Sequence, residues 1–174
     1  MVNYNSDAIQ TYITTEIEYL PGEDKTRDMD ASMSLLSVTG CTTPNFIPPT
    51  GAARYNLTSP PTTIPMDGYI LSSIGHLHDG GVGIQLELNG RLICDSKAIY
   101  GGAGSETIGA DGKKWATISS MTECNDPVPV KAGDKVTTVA VYDTDLHPLR
   151  HAAHGHGDAE SMGVFFVNFA AKTH

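Results

Sequence analysis

Gly83-Ile84-Gln85-Leu86-Glu87-Leu88-Asn89-Gly90-Arg91-Leu92-Ile93-Cys94 is the stretch that decides the fold. Apolar and polar residues alternate on both sides of Asn89-Gly90, the dipeptide favoured in a two-residue β-hairpin turn. Working outward, Tyr69-Ile70-Leu71-Ser72-Ser73-Ile74 reads as a strand before the hairpin, and residues 115–120, 135–142 and 162–170 as strands after it. Nearer the start, Ile9, Thr11, Ile13, Thr15, Ile17 and Tyr19 alternate with polar partners such as Glu16 and Glu18. That pattern predicts a half-buried strand ending at Pro21-Gly22, followed by a charged loop over 23–30 and a second strand over 33–38. The Pro- and Thr-rich stretch 42–65 is too irregular for a core strand outside 54–57 and is expected to wrap an edge. Residues 101–114 form a glycine-rich loop. No long stretch has helical periodicity and no internal repeat is visible. The spacing predicts an all-β antiparallel sandwich of about eight strands, in one domain spanning residues 8–172.

Bulk composition narrows the function. The 174 residues suffice for one domain with a real core. The 18 glycines and 10 prolines suit a turn-rich β-protein. A net charge of −9 argues against nucleic acid or an anionic membrane as partner, because phosphate binding needs a basic surface. No apolar run approaches the ~20 residues that span a bilayer. Met1-Val2-Asn3-Tyr4 opens into polar sequence rather than a signal peptide. Two features nevertheless point to secretion and a glycoprotein. Asn56-Leu57-Thr58 is an N-glycosylation sequon. Cys94 and Cys124, each beside a predicted strand, are placed to form a disulfide, with Cys41 left over.

All seven histidines lie at or after position 76. His76 and His78, in Ile74-Gly75-His76-Leu77-His78-Asp79-Gly80-Gly81, end the strand that begins at Tyr69. Positions two apart on a strand share a face, so both imidazoles can meet one metal ion. A His-x-His also occurs as two ordinary surface imidazoles; the later group His147, His151, His154 and His156 favours the metal reading, and His174 reads as a frayed terminus. His154 and His156 are further candidate ligands, approaching the same ion from their loop. Met162 opens the last strand and is either a core methionine or a ligand. Imidazole suits zinc, copper, iron and nickel, whereas an added thioether selects copper. Asp79 is a weak candidate for orienting an imidazole or moving a proton, and reads more simply as the turn residue before Gly80-Gly81.

Three elements carry a family resemblance: His76-Leu77-His78 on a strand, the strand entry Pro129-Val130-Lys131-Ala132-Gly133-Asp134, and Met162 opening a strand in Asp158-Ala159-Glu160-Ser161-Met162-Gly163-Val164-Phe165-Phe166. In their order and spacing, over about residues 9–171, the chain resembles the C-terminal half of the catalytic core of peptidylglycine α-hydroxylating monooxygenase and its relative dopamine β-monooxygenase. It also looks like single-domain secreted proteins of plants and fungi that share the Gly-His-x-His, Leu-Ile-Cys-Asp-Ser and Met-Gly elements. The resemblance implies a jelly-roll-like β-sandwich in which His76, His78 and Met162 hold the copper that activates oxygen. The monooxygenases store an electron on a second copper, held by three histidines of a preceding domain. With no histidine before position 76, this chain has no upstream counterpart of that site. A second metal held locally by His147, His151, His154 and His156 is the alternative.

Other metal-binding β-proteins fit less well. Cupins need a glutamate four or five residues after His-x-His, and the first here is Glu87. Copper-zinc superoxide dismutases have a bridging pattern that is absent. Blue-copper proteins need a cysteine near the closing ligands, and none follows Cys124. Histidine-brace polysaccharide monooxygenases require an N-terminal histidine. No Ser-His-Asp or Cys-His motif is visible. Three functions are therefore weighed. The first is a secreted copper-dependent oxidase or monooxygenase, acting on a saccharide, peptide or other small-molecule substrate with an external reductant. The second is a non-catalytic copper protein for acquisition, buffering or delivery. The third is an interaction module that binds metal only incidentally. Tyr69, Tyr100, Trp115 and Tyr142 are aromatic candidates for a substrate platform or for the core.

Overall fold

A computed structural model of the chain describes residues 7–18, 29–40, 42–102, 105–108, 114–149 and 160–172. Among them every regular element is a strand: β1 (Met29–Ser37), β2 (Asn45–Phe46), β3 (Arg54–Thr58), β4 (Thr62–Thr63), β5 (Gly68–Leu77), β6 (Gly81–Leu88), β7 (Arg91–Tyr100), β8 (Glu106–Ile108), β9 (Lys114–Ala116), β10 (Ile118–Met121), β11 (Glu123–Cys124), β12 (Val128–Val130), β13 (Lys135–Asp143) and β14 (Ser161–Lys172). No helix among the described residues is long and apolar enough to cross a membrane.

Two six-stranded antiparallel sheets face each other. The first runs β1-β14-β5-β11, with β12 also on β5 and β2 on β14; the second runs β10-β7-β6-β13-β3, with β4 on β13. A separate β8–β9 pair completes the ladders. The antiparallel sandwich is as the alternation predicts. Its larger number of strands comes from short pieces such as β2, β4 and β11, too brief to carry a period of their own. Residues 8–18 differ from expectation: they belong to no ladder among the described residues and stay exposed throughout. Alternation specifies two faces of an extended segment, but it does not specify a partner.

The hairpin forms as the sequence directs. Asn89 and Gly90 take φ of 52° and 77°, the pair of positive values a type I′ turn requires. One feature beyond it decides a covalent link. The β6–β7 register shifts between Leu86 and Glu87, so that Glu87 faces Leu92 but Leu86 faces Cys94. The extra residue, Ile93, reverses the parity of β7 beyond it. Leu92 is left exposed, while Cys94 and Ser96 turn into the core. Cys94 thereby reaches Cys124 on the opposite sheet and forms the disulfide.

Ile84, Leu86, Ala140 and Phe165 are wholly buried between the sheets, with Tyr142 only 1% exposed. The sheets approach closely where glycine faces inward. A Cβ on Gly75 would lie 2.1 Å from Ile84 Cγ2, and one on Gly163 would lie 2.9 Å from both Ala140 Cβ and Val38 Cγ2. Gly75 precedes His76 and Gly163 follows Met162. The inward neighbours of the candidate ligands are therefore fixed by close packing, and the ligands themselves point away from the core.

Candidate metal centre

Alternation along β5 buries Gly75 and Leu77 and turns His76 and His78 to the outer face, His76 exposed and His78 half-buried. Their ring centroids are 5.6 Å apart and the rings stand at 86°. Rings so spaced can each direct one nitrogen at a common ion about 2 Å from both.

Pairing of β14 with β5 brings in Met162. Val164 lies opposite His76 and Gly163 opposite Leu77; one further step of that register places Met162 opposite His78. Directly opposed residues of an antiparallel pair share a face, so the half-buried Met162 stands on the side that carries both histidines. The chain thus collects two imidazoles and a thioether at one end of the outer face of the first sheet. Among the described residues no group of three or more His, Cys, Asp and Glu side chains is placed to hold a metal. His151, His154, His156 and His174 lie outside the described residues, as does Cys41.

Hydrogen bonds fix the orientation of His78 in the histidine pair. His78 Nδ1 lies 2.7 Å from the Glu160 backbone carbonyl. A carbonyl only accepts, so Nδ1 carries the proton and Nε2 keeps its lone pair for a ligand. Glu160 is held in turn: its carboxylate accepts from Asn45 Nδ2 at 2.6 Å, and Asn45 pairs with Met162. Desolvation, and then repulsion from His78, hold the His76 pKa below the ordinary 6.5. A depressed pKa keeps the imidazole neutral, the form that binds metal.

Tyr142, on the second sheet, holds the start of β14 where Met162 stands. Its hydroxyl donates to the Met162 carbonyl at 2.7 Å. The ring is stacked on Tyr55 at 5.1 Å and meets Phe46 edge-on at 5.7 Å. Burial pushes the phenol pKa well above its usual value, so the hydroxyl remains a donor.

Asp79 is 3% exposed, and its carboxylate accepts from Thr117 Oγ1 at 2.7 Å, the Ile118 backbone N–H at 3.1 Å and Trp115 Nε1 at 3.3 Å. It fastens the β9–β10 segment over the turn that follows His78. On the other side of that turn, Tyr100 accepts from the Gly80 N–H and donates to the Gly81 carbonyl, both at 2.9 Å. The His147 ring stacks on Tyr100 with centroids 3.5 Å apart, and burial lowers its pKa against the opposing pull of Asp143 and Asp79. Of the later histidines, His147 is thus placed beside the Gly80 turn. The sequence gives no sign of the roles of Tyr142, Glu160 and Asn45, because each acts through a contact between segments distant in the chain.

Comparison with known proteins adds the family. The family model described as "Stress up-regulated Nod 19" matches residues 24–172. The chain belongs to the stress up-regulated Nod 19 family. That match contains both sheets, the histidine pair and Met162. Two fungal proteins are similar over a shorter stretch. One, from a Phoma species, is named "Probable copper-dependent oxygenase M1" and is 34% identical over 98 residues. The other, from Cochliobolus lunatus, is named "Probable copper-dependent oxygenase clz3" and is 33% identical over 98 residues. Each alignment covers 56% of this chain, but only 24% of the Phoma protein and 30% of the Cochliobolus protein. The family member described here therefore spans less than a third of the length of either relative through the matched region.

Proposed function

We propose that this chain is the copper-holding β-sandwich of a secreted copper-dependent oxygenase, with His76, His78 and Met162 as ligands. The observation that carries the reading is the outward placement of the histidine pair on β5 beside Met162 on β14, with His78 already in the tautomer that offers Nε2. Two imidazoles and a thioether form a donor set that selects copper over zinc. The printed names of the two fungal relatives point the same way. So does the resemblance to the C-terminal copper domain of the peptidylglycine and dopamine monooxygenases. Bound copper supplies one-electron chemistry with dioxygen. Hydroxylation of a C–H bond uses O2, two electrons from an external reductant of the ascorbate class and two protons. One oxygen atom enters the substrate and the other leaves as water.

The chain's own residues set the environment for that chemistry. Glu160 and Tyr142 orient the ligands, and Asp79 with Tyr100 holds the adjoining turn. A cleft of about 500 Å³ lined by residues 47–53, Thr144 and Leu149 flanks this region. Its lining begins directly after Phe46, whose strand pairs with Ser161 and Met162, and Leu149 packs at Gly80. The volume suits a small-molecule substrate, with a saccharide or a short peptide as candidate classes. The Cys94–Cys124 disulfide and the exposed Asn56 sequon on the edge strand β3 favour an extracellular setting.

The test is copper stoichiometry on loaded, desalted protein, with His76→Ala, His78→Ala and Met162→Leu alongside. About one equivalent is expected, lost in both histidine variants, with the Met162 variant weakened selectively for Cu(I). Oxygen uptake with ascorbate then separates an oxygenase from a silent copper carrier. Undiminished copper in His76→Ala sinks the site.

A further inference from the structure

We infer that residues 8–18 form an exchangeable arm. In a dimer the arm of one copy adds as a strand to the free edge of β1 on the other copy and seats Ile9, Ile13 and Ile17 between the two sheets.

The arm has the composition of a strand and lacks a sheet. Ile9, Ile13 and Ile17 are 55%, 80% and 76% exposed. They alternate with Gln10, Tyr12, Thr14, Glu16 and Glu18, so one face is Ile-Thr-Ile-Thr-Ile and the other mostly polar. β-Branched residues at every second position favour extended backbone over helix or coil. Three isoleucines left in water on such a face mark a surface that is covered by something. The arm also precedes the family match, which begins at residue 24, and the sandwich is built without it.

The molecule offers a fitting place. β1 pairs with β14 over nine residues, Met29 to Ser37, and its other edge pairs with no strand among the described residues. Beside that edge a groove of about 330 Å³ opens between the sheets. Its floor is apolar, with Ile64, Ile70, Val136 and Phe169, and β1 contributes only the short side chains of Ser32 and Ser34 at its middle. These serines lie opposite Phe169 and Val167, which faces them inward yet leaves the space unfilled. A strand added to β1 places its own inward residues in the next row of that layer, over the groove. From Ile9 to Ile17 the arm has the same length as β1 and brings three aliphatic side chains of one face. Its acidic face, with Glu16 and Glu18, remains in water.

The arm of the same copy is exposed and lies outside the lining of this groove, and an identical arm on a second copy matches the groove's β1 edge in length and in its aliphatic face. Exchange of identical segments about a two-fold axis satisfies both grooves at once.

The experiment is sedimentation of the full chain over a ~1,000-fold dilution, with hydrogen exchange read at the arm and β1. A dimer at high concentration with slowed exchange over residues 9–17, both lost on dilution, is expected. The triple variant Ile9→Ser, Ile13→Ser, Ile17→Ser changes only exposed side chains and should fold. It should weaken the dimer by at least roughly tenfold. A protected arm in a species that stays monomeric would overturn exchange and place the arm on its own β1. An arm exchanging at the rate of unstructured peptide at every concentration would end the proposal. Neither outcome touches the copper reading, which stoichiometry tests separately.

Discussion

Removing one hydroxyl group, in Tyr142→Phe, tests how the fold holds the candidate ligands in place. The Tyr142 ring is 1% exposed and keeps its stack on Tyr55 and its edge contact with Phe46 in the variant. What disappears is the 2.7 Å hydrogen bond to the Met162 carbonyl. An orphaned buried backbone group costs about 1–3 kcal/mol, so a loss of about 2 kcal/mol is expected. For a chain of this size that lowers Tm by roughly 4–8 °C. The same change loosens the start of β14, where Met162 must stay in register with His78. Copper titration followed by electron paramagnetic resonance should therefore show weaker binding and a broadened Cu(II) signal. Tyr69→Phe, under Lys172 at the far end of β5, is the control and should alter neither. A Tyr142→Phe protein with Tm within about 1 °C of the parent and an unchanged spectrum would refute the reasoning.

Three further outcomes follow from the same geometry. Replacing Cys94 and Cys124 by serine opens a link of sequence separation 30 between the sheets. It should cost about 3.6 kcal/mol in the loop-entropy model, and equal melting of oxidised and reduced protein would contradict it. In Gly75→Ala the new methyl must displace Ile84, so stability should fall by about 3 kcal/mol in denaturant unfolding, with His76 shifted from its partner. Native-like stability there would show that the sheets can separate freely. The third outcome concerns pH. Folded His76 titrates below the ordinary 6.5 through desolvation and then His78, so between the two values the unfolded chain binds more protons. Metal-free protein should therefore lose stability as pH falls from about 7 through 6.5 towards the folded value, and His76→Gln should flatten that slope in chemical denaturation. A slope unchanged by the substitution would remove His76 as its source.

Much of the architecture was legible along the chain. Alternation around Asn89-Gly90 located β6, the turn and the start of β7, because period and turn chemistry are local properties. The shared face of His76 and His78 follows equally from the two-residue period of a strand. The short strands β2, β4 and β11 were not legible, since two residues carry no period. The strand expected over the first exposed alternating segment shows the reverse failure: its pattern is clear, yet no ladder among the described residues accepts it.

The sequence by itself therefore determined the fold class, the hairpin, the histidine pair and the residue types available as ligands. Each of these depends on neighbours within a few positions. Tertiary structure decided which distant residues act on that pair. The β5–β14 register brought Met162 level with His78, and the Glu160 carbonyl chose the His78 tautomer. The bulge at Ile93 turned Cys94 towards Cys124, and Tyr142 crossed the core to the Met162 carbonyl. Register, bulges and contacts between sheets are set by packing of the whole sandwich, where a shift of one residue would move every side chain to the opposite face.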